Sequence, residues 1–346
     1  MGQITRIGMD ISKNFFELHC VDAAEKVVKK TTLKRSNVLV FFAKLESVRI
    51  GIEACGTSHY WARALTELGH EVVLLPPQYV KAYVKRGKND AIDAEAICEA
   101  MSRPSMRFVP VKSEEQQAVQ MLAGLRSREV TRRTQLANAI RGHAGEFGVA
   151  VPKGLARIEP LLKQLIENPH LPALARELFE ELRQDFVATD IRIKRLDQRL
   201  LAWQRGNEQC QRLREIPGIG PLIASLLTIK VPDIGHFRSH RDFAAWIGLT
   251  PKNHSTAKKN RLGAITKAGD EVLRSALVVG ATAVIQQIKR GRRKASPWLA
   301  KMLAKKPAKL VAVALANKMA RVAYVLMATG QCFDRNRFEG ICAEAA

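Results

Sequence analysis

The sequence predicts an α/β domain at the N-terminus, followed by a mostly helical remainder. Two patterns indicate this division. Short apolar segments of strand length dominate the first 76 residues, whereas longer apolar and amphipathic segments of helix length dominate the rest. The charge is divided in the same way, because residues 1–100 hold 14 Lys and Arg against 12 Asp and Glu, and residues 251–310 hold 15 against 2. A near-neutral domain therefore precedes a strongly basic one.

The N-terminal elements are predicted from alternating or continuous apolar residues between turn-like segments. The first three, ITRIGMDIS, FFELHCVDA and KVVKKTTL, favour an antiparallel meander. The predicted strands and helices lie, in chain order, at residues 4–12, 15–23, 26–33, about 39–45, 48–54, about 58–68, 71–76 and 90–101. The order βββαβαβα is that of a ribonuclease-H-like, three-layer domain. We assign residues 1–150 to it, including a long helix at 113–144.

The next segment, residues 151–208, carries an apolar seam at heptad spacing. Its members follow one another at steps of three and four: Phe179, Leu182, Phe186, Thr189, Ile193, Leu196, Leu200 and Trp203. This pattern predicts a helical coiled coil, formed either as a dimer or as a hairpin. The alternative is a helix that packs on its own domain. The remaining residues, 209–335, form the predicted basic, mainly helical domain.

Composition excludes several classes of protein. The 346-residue chain is 47% hydrophobic with a formal net charge of +23, so it folds around real cores and attracts polyanions, with nucleic acid as the leading partner. The six cysteines form no C-x-x-C pair, which argues against a structural zinc site or a disulfide framework. The N-terminus lacks the pattern of a signal peptide, and basic residues interrupt the apolar C-terminal segments. We expect a soluble, cytoplasmic protein without a membrane partner.

Four acidic residues are candidates for a metal site. Asp10 ends the first predicted strand, Glu53 ends the fourth, and Asp90 and Asp93 lie one turn apart on the helix that follows. The first and fourth strands are neighbours in a ribonuclease-H-like sheet, so these carboxylates can converge. Clustered carboxylates favour Mg²⁺, and two such ions can activate a phosphodiester. The alternative is that each is a surface carboxylate and that Asp90 caps its helix.

A glycine-rich turn and a basic, hydroxyl-containing loop follow in the C-terminal part. The sequence LREIPGIGPLIASLL, residues 213–227, is typical of a helix-hairpin-helix, in which Gly218 and Gly220 let backbone N–H groups approach a phosphate. The alternative is a tight turn between helices. Further on, Ser255 and Thr256 lie among cations, and a hydroxyl there is either a phosphate donor or a nucleophile. The expected contacts with the nucleic-acid backbone are Lys252, Lys258, Lys259, Arg261, Lys267, Arg274, Arg292 and Arg293.

These motifs together resemble the transposases of the insertion sequence 110 family. The resemblance covers about residues 4–330 and rests on motifs in a fixed order: GMDISKN, GIEACGTSHYWA, KNDAIDAEA, IPGIGPLIA and GLTPKNHSTAKKNRLGAITKAGDEVLR. It implies a RuvC-like DEDD domain, a coiled-coil segment and a C-terminal domain with a catalytic serine. The DEDD carboxylates would be Asp10, Glu53, Asp90 and Asp93, and the nucleophile Ser255.

The resemblance also has a visible departure and further implications. Similar family members carry two glycines after the hydroxyl pair, where this chain has Ala257 and Lys258, so Thr256 is a second candidate nucleophile.

The family implies a structured noncoding bridge RNA that pairs with donor and target DNA, so that base pairing selects the sequence. A homo-oligomer, dimer or tetramer, acting at the bacterial nucleoid is expected.

The resulting hypothesis is a DNA recombinase that cleaves and rejoins strands through a phosphoserine, with Mg²⁺ held by the DEDD carboxylates. A second hypothesis is a metal-dependent junction nuclease that uses water, with Ser255 only binding phosphate. It predicts no covalent adduct. A third is a nucleic-acid-binding protein without catalysis, whose acidic residues are structural.

Overall fold

The computed structural model describes residues 3–84, 89–231, 233–254 and 261–334. The chain forms two compact units, an N-terminal unit of residues 1–115 and a C-terminal unit of residues 116–346. The N-terminal unit contains the following strands and helices: β1 (Arg6–Ile11), β2 (Phe15–Val21), β3 (Val27–Lys34), α1 (Val38–Phe42), β4 (Arg49–Glu53), α2 (Ser58–Glu67), β5 (Glu71–Leu75), α3 (Pro77–Val80) and α4 (Asp90–Ala100).

The described strands of the N-terminal unit form one mixed sheet in the order β3-β2-β1-β4-β5. The first three strands are an antiparallel meander, whereas β4 and β5 continue the sheet parallel to β1. Parallel neighbours need a crossover connection, and the segments containing α1 and α2 provide it. The predicted α/β class is therefore confirmed, and the strand order agrees with a ribonuclease-H-like domain.

Two apolar clusters cover the two faces of this sheet. On one face Phe16 and Ile50 pack with Trp61 of α2, all of them buried. On the other face Ile97 and Met101 of the α4 segment pack with Leu75. The central strand β4 is buried through its middle, as expected for a strand covered on both faces, whereas the edge strand β3 is mostly exposed and polar.

The C-terminal unit is mainly helical. It contains α5 (Glu114–Glu146), α6 (Ile158–Ile166), α7 (Ala173–Arg205), α8 (Glu208–Arg214), α9 (Pro221–Lys230), α10 (His240–Ile247), β6 (Pro251–Asn253), β7 (Leu262–Ile265), α11 (Glu271–Lys289), α12 (Pro297–Lys305) and α13 (Ala308–Thr329). The first helix begins two residues before the boundary between the units. The two strands pair as an antiparallel hairpin.

The predicted heptad seam lies on α7 and faces its own chain. Its residues Phe179, Phe186, Thr189, Ile193, Leu196 and Leu200 are all buried. Ion pairs link α5 to α7 on the same side, from Arg126 to Asp197 and from Arg133 to Asp190. The seam is thus covered within one chain, as in the alternative of a helix packed on its own domain. The coiled-coil interpretation stays a prediction.

The core of the C-terminal unit is built around α13. This helix buries one face against α10 and α11, with Leu315, Met319 and Ala323 among the buried residues. Both α11 and α13 are long and apolar enough to cross a membrane by length and composition alone. Because α13 is mostly buried, its apolar composition is explained by packing, and the core helices of soluble proteins pass the same test.

Candidate active site

Two of the predicted acids lie side by side at one edge of the sheet. Asp10 is in β1, and Glu53 is the last residue of β4. These strands are parallel neighbours, with Met9 paired to Ile52, so the residues that follow are adjacent. Because alternate residues of a strand point to opposite faces, Asp10 and Glu53 share their face with Gly8 and Gly51. This is the face that α4 covers.

A pair of glycines lets α4 come unusually close to the sheet. Gly8 and Gly51 are register partners on β1 and β4. A Cβ added at Gly8 would lie 2.1 Å from the backbone oxygen of Ala94, and one at Gly51 would lie 2.6 Å from the sulfur of Met101. Each glycine precedes its acid by two residues. The spacings Gly-x-Asp and Gly-x-Glu therefore place the helix against the strands at the point where the carboxylates emerge.

The first turn of α4 carries the other two acids. Asn89 caps this helix, since its side-chain oxygen accepts a hydrogen bond from the backbone N–H of Ala91 at 3.1 Å. Asp90 and Asp93 then lie in the first turn, where the helix dipole favours negative charge. The cap is thus Asn89 and not Asp90, so Asp90 has no capping role that would explain its presence.

The four carboxylates interact electrostatically. Burial raises the pKa of Asp10 from 3.8 to about 6, and the negative charges of Asp90, Asp93 and Glu53 add to that increase. Burial, and then the charge of Asp93, also raises the pKa of Glu53. These electrostatic interactions agree with the strand register and with the close approach of α4, which put the four acids near the same end of the sheet. Partial desolvation, and then the charges of Glu53 and Asp10, also raise the pKa of the Cys55 thiol, two residues after Glu53.

The donor set suits a hard divalent cation, which prefers carboxylate oxygens. Within the described ranges, no three His, Cys, Asp or Glu side chains are grouped tightly enough to hold a metal ion as they stand. Binding at this edge therefore requires side-chain rotation to draw the carboxylates into one coordination sphere. The positive charge of a bound cation would offset the repulsion that such rotation increases among the carboxylates.

Replacing Gly8 with alanine tests whether the close approach of α4 is required. The new Cβ would overlap backbone atoms of α4, which cannot rotate away as a side chain can. We expect the free energy of unfolding to fall by about 3 kcal/mol, as for severe overpacking of a core. DNA cleavage should be lost even where the variant is folded. Urea denaturation and a cleavage assay below the unfolding transition measure the two effects.

Gly56→Ala is the matched control for this substitution. Gly56 lies between β4 and α2, and a Cβ added there meets no atom within 4 Å. The Gly56→Ala variant should have a free energy of unfolding and a rate of DNA cleavage near those of the unchanged protein. A Gly8→Ala protein with normal stability and normal cleavage would show that α4 need not lie so close to the sheet.

The predicted glycine-rich turn connects α8 to α9 in the C-terminal unit. Gly218 has a φ of +94°, and a Cβ there would lie 3.0 Å from the backbone oxygen of Gly280 on α11. A Cβ at Gly280 would in turn lie 2.2 Å from the backbone oxygen of Gly218. Close packing of the turn on α11 thus requires this glycine. Gly220, at the N-terminus of α9, faces open space. The predicted phosphate contacts stay predictions.

The predicted serine loop lies between β6 and β7. Ser255, Thr256, Lys258 and Lys259 lie outside the described residues. The two residues that flank this segment are hydrogen-bonded, with the N–H of His254 donating to the oxygen of Arg261 at 2.9 Å. The predicted cations that the structure describes are mostly exposed: Lys252, Arg261, Lys267 and Arg292 are exposed, and Arg293 is half-buried.

Arg274 is a correction to the sequence-based set. It lies in the first turns of α11, is only 9% exposed, and donates from Nη1 to the backbone oxygens of Ile247 at 3.0 Å and Ala268 at 2.8 Å. A buried guanidinium that binds main-chain carbonyls is not presented to a phosphate. We therefore leave Arg274 out of the nucleic-acid contacts.

Comparison with known proteins identifies the family. A family model described as a transposase, of the DEDD type found in IS110 elements, matches residues 7–147. A second, described as the transposase IS116/IS110/IS902 family, matches residues 210–296. A putative transposase of Sinorhizobium fredii is 57% identical over 332 residues, which cover 96% of this chain and 86% of the relative. The chain belongs to the IS110 family of transposases.

Other IS110-like relatives match over similar lengths. A probable family 20 transposase of Pseudomonas aeruginosa is 48% identical over 95% of this chain and 98% of its own. The transposase for insertion sequence element IS1328 of Yersinia enterocolitica is 37% identical over 97% of this chain and 100% of its own. The predicted family and enzyme class are therefore confirmed: this IS110 transposase is a DNA-cleaving and DNA-recombining enzyme with a DEDD-type nuclease domain. A domain of this type implies dependence on a divalent metal ion.

Proposed function

We propose that this IS110 transposase cuts and rejoins DNA through a covalent phosphoserine at Ser255, in concert with a Mg²⁺ site in the N-terminal unit. The observation that carries the proposal is the geometry of the acids: Asp10 and Glu53 are adjacent on parallel strands, and the helix that begins with Asp90 and Asp93 packs closely against those strands. The family's DEDD domain would use these acids on a phosphodiester. The serine lies in the segment matched by the second family model. The serine step, the metal ion and the guide RNA can each be tested by a separate experiment.

The four carboxylates would hold the metal. Asp10 and Glu53 are fixed by neighbouring strands, and Asp90 and Asp93 by the start of α4, so the acids come from rigid elements. A divalent ion bound there supplies Lewis-acid polarisation of the scissile phosphate. The protein's part would be to orient these side chains toward the substrate backbone, and the charge of the bound ion would favour their ionised form.

The serine step conserves bond energy. In the proposed reaction the Oγ of Ser255 bonds to phosphorus while the bond from phosphorus to one sugar oxygen breaks, and the serine proton goes to that oxygen. A sugar hydroxyl of the second strand then attacks the phosphoserine and restores Ser255. Strands are thus rejoined without ATP. Thr256 is the second candidate for the same role.

The basic C-terminal surface would hold nucleic acid by its backbone. The proposed contacts are Gly218, Gly220, Lys252, Lys258, Lys259, Arg261, Lys267, Arg292 and Arg293. Exposure of the described lysines and arginines supports them, as does the strongly positive charge of residues 251–310. The α8–α9 segment would act as a helix-hairpin-helix on one of these strands.

Selection of DNA sequence would be delegated to a structured noncoding RNA that pairs with donor and target. The formal net charge of +23 suits two polyanions. A homo-oligomer, dimer or tetramer, would supply sites for both DNA partners. Action at the nucleoid follows from the substrate.

The test is a denaturing gel of end-labelled donor and target DNA with the purified protein. RNA transcribed from the sequence flanking the gene and Mg²⁺ are each included or omitted. We expect slowly migrating, protease-sensitive DNA only when both are present. Adduct formation without RNA would remove the guide from the proposal, and formation in EDTA would remove the metal.

The junction nuclease is the second candidate, because the four acids belong to the N-terminal unit, whereas Ser255 belongs to the C-terminal unit. In that case the acids position a water molecule and Ser255 binds phosphate. The same gel distinguishes the two: a nuclease releases strands with free ends and leaves none bound to protein.

A further inference from the structure

The base of the β6–β7 hairpin is a tight crossing of two chain segments. One segment leaves α10 through Gly248, and the other enters α11 through Gly269, both with positive φ of +80° and +71°. A Cβ at Gly248 would lie 2.2 Å from the oxygen of Ala268, and one at Gly269 would lie 1.8 Å from the oxygen of Trp246. The two segments are therefore in backbone contact where the hairpin begins.

Backbone hydrogen bonds extend from this crossing toward the loop. The N–H of Lys267 donates to the oxygen of Gly248 at 3.2 Å, and the N–H of Thr266 donates to the oxygen of Thr250 at 2.8 Å. The strands then pair, with Pro251 opposite Ile265. The hairpin is short and its strands are exposed, so its orientation depends on its base.

Arg274 joins the two segments at this base. One of its nitrogens, Nη1, donates both to Ile247 of the first segment and to Ala268 of the second. Charge-assisted hydrogen bonds of this kind are about twice as strong as neutral ones. On the other side, Nδ2 of Asn317 on α13 donates to the oxygen of Leu249 at 3.1 Å. The hairpin base is thus tied to the two long core helices α11 and α13.

We propose that Arg274 is a positioning residue that holds the base of the β6–β7 hairpin, whose strands flank the segment containing Ser255, and thereby supports the attack on DNA. This inference rests on the proposed function of Ser255. The basic composition of this segment predicted that Arg274 binds phosphate. We assign this buried arginine a role in positioning the hairpin instead. Arg274 acts through the backbone of the hairpin and does not touch the substrate.

The experiment compares Arg274→Met, which keeps the length of the side chain but removes its donors, with Arg274→Lys, which keeps one charged donor. Three quantities are measured on the full chain: adduct formation at saturating DNA, DNA affinity, and hydrogen exchange of the Thr266 and Lys267 amides. For Arg274→Met we expect amide exchange about tenfold faster, adduct formation about 100-fold slower, and an unchanged DNA affinity. Arg274→Lys should restore part of both the protection and the rate.

Arg292→Met is the contrasting variant, since exposed Arg292 is a proposed phosphate contact. It should weaken DNA binding with a shallower salt dependence and leave exchange of the hairpin amides unchanged. If Arg274→Met behaves in this way instead, Arg274 is a phosphate contact and the proposal is wrong. Normal hairpin exchange combined with a slow reaction would also overturn it, because Arg274 would then act directly.

Two further outcomes are distinguishable. If Arg274→Met does not fold, the Arg274→Lys variant decides. In that variant the hairpin amides must exchange faster, and the adduct must form more slowly, than in the unchanged protein. If the unchanged protein forms no adduct, the proposed function of Ser255 fails, and the hydrogen-exchange measurement still shows whether Arg274 holds the hairpin. Unchanged exchange in both variants would refute the positioning role whatever the chemistry.

Discussion

Replacing Ser255 with alanine should abolish the covalent protein–DNA adduct while DNA binding is retained. The substitution removes one oxygen, the atom that bonds to phosphorus in the proposed step, and leaves the basic residues around it. If Ser255 is the nucleophile and the adjacent hydroxyl of Thr256 does not replace it, the rate of adduct formation should fall below about 0.1% of normal. A denaturing gel measures the adduct, and a mobility shift measures the affinity, which should change by less than about threefold.

Thr256→Ala is the matched control for this prediction. It removes the adjacent hydroxyl and keeps Ser255, so adduct formation should continue. The opposite pattern, with adduct in Ser255→Ala and none in Thr256→Ala, would assign the nucleophile to Thr256. Strand cleavage without adduct in both the unchanged protein and Ser255→Ala would favour the junction nuclease.

Replacing Asp10 with asparagine should abolish metal-dependent cleavage. The charges of all three other acids raise the pKa of Asp10, so its carboxylate interacts electrostatically with each of them. An amide keeps the shape of the side chain but removes its negative charge, so the cation would be held weakly. We expect cleavage to fall by about 1,000-fold or more at millimolar Mg²⁺.

The same substitution should stabilise the metal-free protein at neutral pH. The pKa of Asp10 in the folded protein, about 6, is above its ordinary value of 3.8, so the folded state holds the proton more tightly. Its contribution to stability is therefore present below pH 3.8 and is lost as pH rises through about 6. After allowance for solvent screening, Asp10→Asn in EDTA should be more stable than the unchanged protein by about 1 to 2 kcal/mol at pH 7.5, and not at pH 3.5.

Glu67→Gln is the control, because Glu67 is exposed on α2 and its substitution also removes one negative charge from the same unit. It should show neither loss of cleavage nor the stability gain. Mg²⁺ should raise the melting temperature of the unchanged protein and of Glu67→Gln but not that of Asp10→Asn. An Asp10→Asn protein that still cleaves DNA with Mg²⁺ would contradict the proposed site.

The sequence predicted the elements of the N-terminal unit because their patterns are local. Strands β1 to β5 follow from runs of apolar residues bounded by turns, and the acids at the ends of β1 and β4 follow from the order of those strands. The position of Asp90 and Asp93 on one helix also followed from spacing alone. That this helix approaches the strands closely depends on Gly8 and Gly51, whose pairing is a matter of register. A Gly-x-acid signal on both strands was available in the sequence.

The C-terminal unit was less predictable because its decisive contacts are long-range. Arg274 lies in a basic segment and its charge suggested phosphate binding, but burial against the oxygens of Ile247 and Ala268 depends on how α10 and α11 meet. The glycines at 218 and 280 are 62 residues apart in sequence and adjacent in the fold. The α7 seam showed that a face is buried, and periodicity does not reveal what covers it.

The most direct test of the covalent mechanism is to identify the residue that bears DNA. After reaction with donor DNA, Mg²⁺ and the flanking RNA, the protein is digested with nuclease and then with trypsin, which releases residues 253–258 as the peptide NHSTAK. Mass spectrometry with fragmentation should find a nucleotide phosphate on Ser255. An unmodified NHSTAK peptide from protein that has been isolated as the DNA adduct, or a nucleotide phosphate on another residue, would contradict the assignment of Ser255.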